Sequence, residues 1–147
     1  MFETLLVATD GSKAAEKAVA WAVEFAKRHD SKLIVLNVTP DARVKLVHGE
    51  PDAPPAGDVS PQDAGDLVST EALARGEKLA QAAGVKYELD EVYGRNTAAA
   101  IAKEAMEVGA DHIIIGSTGT TSLATCVLGS VAQNVVHYAH CPVTVVR

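Results

Sequence analysis

The chain has 147 residues, of which 48% are hydrophobic and 22% charged, so it carries enough apolar side chains to close a core and is neither disordered nor fibrous. That length suits one compact domain over residues 1–147. The 13 Lys and Arg are outnumbered by 19 Asp and Glu, for a net charge of −6; a phosphate backbone repels such a surface, which argues against a nucleic-acid partner.

Phe2 to Thr9 (FETLLVAT) is a short apolar run that stops at Asp10-Gly11-Ser12, the pattern of a buried strand reaching its turn. Helical periodicity follows: Ala15, Ala18, Val19, Ala22, Phe25 and Ala26 share one face, and Ser12 stands where it can cap the helix. Lys32 to Thr39 (KLIVLNVT) is the next strand, which makes the first forty residues a β-α-β unit suited to a parallel sheet covered on both faces. From about residue 40 to residue 66 the character changes, with Pro40, Pro51, Pro54, Pro55 and Pro61 set among Asp, Gly and Ala; this reads as a long loop within the domain.

The spacing then predicts a helix over Leu67–Ala83, a strand over Val85–Val92, a helix over Thr97–Val108 capped by Asn96, and a strand over His112–Ile115. After the Gly-rich stretch Gly116–Gly129 come a helix over Ser130–Ala139 and a last strand over Pro142–Val146. Five strands alternating with four helices describe an α/β, doubly wound, five-stranded parallel sheet with helices on both faces. Right-handed crossovers allow the spatial order 3-2-1-4-5, in which the exits of the first and fourth strands border a crevice where such sheets bind ligands. Asp10-Gly11-Ser12 and Gly116-Ser117-Thr118-Gly119 are the loops that meet there.

The strongest local pattern is Gly116-Ser117-Thr118-Gly119, then nine residues, then Gly129-Ser130-Val131-Ala132. Glycines permit close backbone approach, and a helix opening at Ser130 offers free amides and a dipole that favour an anion such as phosphate. The pattern is not a P-loop, because no Lys follows the glycines, and no GxGxxG follows the first strand. Two local alternatives stay open. Ser130-Val131-Ala132-Gln133 also fits a capping box, and Asp10 also suits a turn ahead of a helix.

From Thr9-Asp10-Gly11-Ser12 through Gly129-Ser130-Val131-Ala132 to Cys141-Pro142-Val143, the chain resembles the universal stress proteins essentially end to end, and its G-x2-G-x9-G-S spacing is similar to that of their ATP-binding branch. The resemblance implies that ATP, or ADP or AMP, is the ligand. It implies that Ala8 and Thr9 line the base pocket, that Asp10 meets the ribose or a metal-bound water, and that the main chain of Val38 faces the adenine. Gly116 would lie against the ribose, with Ser117 beside it, while Gly119, Gly129, Ser130 and Val131 would hold the phosphates. Relatives often carry basic residues between the first two glycines, where this chain has the neutral pair Ser117-Thr118. Hydroxyls and amides do not cancel a triphosphate's charge, so Mg²⁺ or Mn²⁺ is expected with the nucleotide.

This reading makes the chain a stress-response sensor or regulator with a protein partner that the sequence does not identify. A slow ATPase is the enzymatic alternative, for which the chain lacks a P-loop Lys, a recognisable base and an arginine finger. A nucleotide-free dimeric interaction module is the other. The closing strand Val143–Val146 has no charge before Arg147; as an edge strand it invites a second copy, and a homodimer is also what the resemblance implies.

The remaining conspicuous residues read as structural. His137, His140 and Cys141 lack an evident fourth ligand for a metal site. Trp21 and Tyr138 read as packing residues, and Cys126 as a buried thiol. With two cysteines outside any CxxC pair, no signal-peptide pattern at the start and no run of roughly 18 apolar residues, a cytoplasmic protein without membrane insertion is expected.

Overall fold

The structure, a computed structural model, describes residues 2–40, 61–118 and 128–147, with the side chains of 61–68 left aside. Its elements are β1 (Thr4–Ala8), α1 (Lys13–His29), β2 (Lys32–Thr39), α2 (Pro61–Ala83), β3 (Tyr87–Tyr93), α3 (Thr97–Glu107), β4 (His112–Gly116), α4 (Ser130–Tyr138) and β5 (Val143–Val146). The five strands form one parallel sheet in the order β3-β2-β1-β4-β5, the order expected from the alternation of elements and allowed by the crossover rule.

Side-chain alternation along the strands divides the core in two. Leu5, Val7, Leu33, Val35 and Ile114 point to one face, where they pack with Ala18, Val19 and Ala22 of α1 and Ala80 of α2. Leu6, Ile34, Leu36, Ile113 and Ile115 point to the other, against Ile101 and Ala105 of α3 and Ala132 and Val135 of α4. The register places Leu6 beside Ile34 on one side and Ile113 on the other, so β1 runs through the middle of both layers.

The caps expected of Ser12 and Asn96 are formed: Ser12 Oγ accepts from Ala15 N–H at 3.2 Å, and Asn96 Oδ1 accepts from Ala99 N–H at 3.1 Å. Three expectations are corrected. The helix after the Pro-rich segment opens at Pro61, not Leu67, which removes residues 61–66 from the expected loop. Proline is well suited to a first helical turn, and the apolar periodicity that betrays a helix is missing before Leu67. Residues 41–60 of that loop lie outside the described residues. Tyr138 is 47% exposed rather than packed. Ser130 is not a helix cap: α4 takes Gly129 as its N-cap, and no side chain caps it. No helix among the described residues is long and apolar enough to cross a membrane.

Candidate functional site at the strand exits

The first wall of the crevice is the exit of β1. Thr9 is buried, and its N–H donates to Leu36 O at 2.8 Å, extending the β1–β2 pairing by one residue. The chain then turns sharply: Gly11 N–H donates to Thr9 Oγ1 at 3.2 Å and Ser12 N–H to Asp10 Oδ1 at 2.9 Å. Gly11 has φ +79°, a left-handed conformation that a residue with a Cβ adopts only with strain. Asp10 is thus a turn residue through Oδ1.

The second wall is the exit of β4. Continuing the pairing of Val7 with Ile114 by two residues sets Thr9 opposite Gly116. A Cβ on Gly116 would come within 2.8 Å of the carbonyl carbon and oxygen of Ala14, in the first turn of α1. The glycine is therefore required for α1 to settle against β4, and this settling brings the Asp10 turn up to the crevice. Ser117 N–H donates to Val146 O at 2.8 Å, and Gly129 N–H donates to Ser117 O at 2.7 Å. Residues separated by twelve positions are thereby joined, and α4 starts beside the exit of β4.

These bonds determine which donors the site retains. The amides of Ser117 and Gly129 are both engaged within the protein. Gly129 has φ −61°, so it opens the helix in a conformation that other residues also adopt. The amides of Ser130, Val131 and Ala132 lie in the first turn of α4, which holds no acceptor for them. The capping box anticipated at Ser130 is replaced by a different bond, from Gln133 Nε2 to Leu128 O at 2.6 Å. Ser130 is exposed, so its hydroxyl adds a donor beside those three amides. A helix start of this kind offers neutral hydrogen-bond donors and a partial positive charge to an anion.

Ala8 and Val38 complete the group. Thr9 N–H bonds to Leu36 O, whereas Gly94 N–H bonds to Thr39 O at 3.1 Å. Since peptide groups alternate sides along a strand, Val38 turns its N–H and C=O to the β1 side, two residues past the last β1–β2 pair. There the main chain of β1 has already turned away. Of the ten residues singled out in the sequence, Gly119 lies outside the described residues, as does Cys126.

One residue escaped the sequence reading. Asn37 is 5% exposed, and its Nδ2 donates to Thr9 O at 2.8 Å. A lone amide inside KLIVLNVT was the available signal, because a polar side chain in a buried strand needs a partner.

Titratable groups with displaced pKa values lie outside this group. Burial pushes His112 below the ordinary imidazole value and Cys141 above the ordinary thiol value. Burial and the neighbouring Asp90 push Glu104 upward. Among the described residues no three His, Cys, Asp or Glu side chains are grouped to hold a metal ion.

A profile of the universal stress protein family matches residues 1–147. The chain is 30% identical over 154 residues to a universal stress protein of Methanocaldococcus jannaschii, covering 100% of this chain and 83% of the relative. Its fold is similar to that of the universal stress protein UspA of Lactobacillus plantarum, with a TM-score of 0.77 at 25% identity, covering 99% of this chain and 98% of that one. A universal stress protein solved in complex with cAMP has a TM-score of 0.71 at 29% identity, covering 99% of this chain and 97% of that one. The match over the whole chain means that this chain belongs to the universal stress protein family.

Proposed function

We propose that this universal stress protein binds an adenine nucleotide, ATP with ADP and AMP as the alternatives, in the crevice between the exits of β1 and β4. The observation that carries the reading is the 2.7 Å bond from Gly129 N–H to Ser117 O, which sets the start of α4 beside the exit of β4. In this reading the phosphates meet the amides of Ser130 and Val131 and the Ser130 hydroxyl, with Gly119 and the side-chain-free Gly129 leaving room for them. The ribose lies against Gly116 and Ser117, with Asp10 reaching it or a metal-bound water. Ala8, Thr9 and the main chain of Val38 receive the base.

The donors are neutral, so Mg²⁺ or Mn²⁺ accompanies a triphosphate and offsets its charge. The relative solved with cAMP supports an adenine nucleotide as the ligand class. The single domain acts in the cytoplasm as a stress-response sensor or regulator, its partner surface following nucleotide occupancy. It forms a homodimer through β5.

Two measurements test this reading. Ligand released from the purified protein is identified by mass spectrometry, and ATP, ADP and AMP are titrated by calorimetry with and without Mg²⁺. Release or binding of an adenine nucleotide is the expected result. If no nucleotide is released and none binds, the crevice is empty in function and the chain is an interaction module.

A further inference from the structure

Asn37 is a carboxamide in an otherwise apolar part of β2, and both of its ends are engaged. Nδ2 donates to Thr9 O at 2.8 Å, and Oδ1 lies 3.2 Å from Thr39 Oγ1. A carbonyl only accepts, so Thr9 O decides which end of the amide faces it. The Thr39 hydroxyl also reaches Glu91 Oε1 of β3 at 2.8 Å, and Ser69 of α2 donates to that same oxygen. The single Thr39 proton is shared between Asn37 Oδ1 and the nearer Glu91 Oε1, so the hydroxyl steadies the far side of the carboxamide while the firm bond of Asn37 is the one to Thr9 O. What it holds in turn is the peptide joining Thr9 to Asp10. Thr9 N–H is fixed separately by Leu36 O at 2.8 Å, and the two turn bonds, Gly11 to Thr9 Oγ1 and Ser12 to Asp10 Oδ1, start from this residue pair.

We propose that Asn37 is a positioning residue of the nucleotide site: by holding the Thr9 carbonyl it sets the peptide plane from which the Asp10 turn departs, and so the direction in which Asp10 and Thr9 face the ligand. This rests on the nucleotide reading given above. The side chain does not touch the ligand in this scheme. It acts through the main chain of Thr9, and its place in β2, which is paired on both sides, keeps it from following the turn when the turn moves.

The test is N37D, which matches Asn in shape. At neutral pH its carboxylate sets an acceptor against the Thr9 carbonyl; when protonated it regains an O–H that can donate there. The variant is expected to lose about tenfold in ATP affinity at neutral pH and to recover toward the wild-type value, measured in parallel, at about pH 5, because burial raises a carboxyl pKa. The amide resonances of Gly11 and Ser12 should move with the same pH dependence. A residue that served only stability would lower the melting temperature and leave the ATP affinity of the folded variant unchanged at both pH values.

Should N37D fail to fold, T39V releases the far side of the carboxamide and is expected to weaken ATP binding about threefold while shifting the same two resonances. If the wild-type protein binds ATP and the folded variant binds it equally well with Gly11 and Ser12 unmoved, the role of Asn37 is overturned. If the wild-type protein binds no adenine nucleotide, it is the nucleotide reading that falls.

Discussion

Ser117 and Gly129 are joined through the main chain: the amide of Gly129 donates to the carbonyl of Ser117 at 2.7 Å, while the amide of Ser117 is taken by Val146 O at 2.8 Å. The contact fixes α4 against the sheet and withdraws both amides from any ligand. Among the described residues of this loop and helix, an anion is left with the first turn of α4 and the Ser130 hydroxyl.

Ser130 and Ser12 therefore separate binding from stability. Ser12 caps α1, and S12A is expected to lower stability by about 1 kcal/mol. Ser130 caps nothing, since Gly129 is the N-cap of α4, so S130A should melt like the wild type and lose about tenfold in ATP affinity. Thermal melts and calorimetric titration of the two variants check the contrast. Equal loss of stability in both would return Ser130 to a structural role.

Gly116 is explained first by packing. A Cβ there would lie 2.8 Å from the Ala14 carbonyl and 3.0 Å from Ala15 N, which are backbone atoms with little freedom to yield. G116A should destabilise the fold by about 1–3 kcal/mol through displacement of α1, visible in denaturant unfolding without any ligand present. A variant as stable as the wild type would mean that α1 adjusts at no cost.

His112 gives the protein a dependence on pH. It is 8% exposed, its Nε2 lies 2.8 Å from Thr144 Oγ1, and its Nδ1 is buried with no partner among the described residues. Phe2 and Phe25 pack edgewise and tilted against the ring, and both phenyl rings also contact His29. Burial holds His112 below its ordinary pKa of 6.5, against an opposing pull from Asp111. The unfolded chain then binds the proton more readily than the folded one, so stability is full above 6.5 and falls as the pH drops through the window below it. Melts between about pH 7.5 and 5 should show this slope, and H112Q should flatten it.

The two edges of the sheet differ in a way that bears on assembly. β3 carries Glu88, Asp90 and Glu91, which discourage a further strand, whereas β5 reads Val143-Thr144-Val145-Val146. Ile113 N–H bonds to Pro142 O and Ser117 N–H to Val146 O, so the peptide groups of Val143 and Val145 face away from β4. V145P removes one outward N–H and no bond to β4. It should convert a homodimer to monomer in light scattering, and an unchanged mass would place the contact elsewhere.

Much of the architecture is written in local pattern. β2 occupies Lys32–Thr39 as its apolar run predicts, Ser12 and Asn96 cap the helices that they precede, and the strand order is one that the alternation of elements and crossover handedness allow. Such features depend on residues a few positions apart, whose periodicity and backbone preferences are visible in the chain itself. The start of α2 at Pro61 was hidden because the segment before Leu67 has no apolar period to read.

The candidate site was legible as a set of residues and a place, the exits of β1 and β4, but not as a set of available donors. That Gly129 gives its amide to Ser117, that Gly116 makes room for α1, and that Asn37 holds Thr9 are contacts across twelve or more positions or between separate elements. A hydrogen bond uses up a donor wherever its acceptor comes from. Local pattern, together with the resemblance to universal stress proteins, could say which groups to expect at the crevice; only the packing of α1 and α4 on the sheet decided which of the described amides are already engaged within the protein.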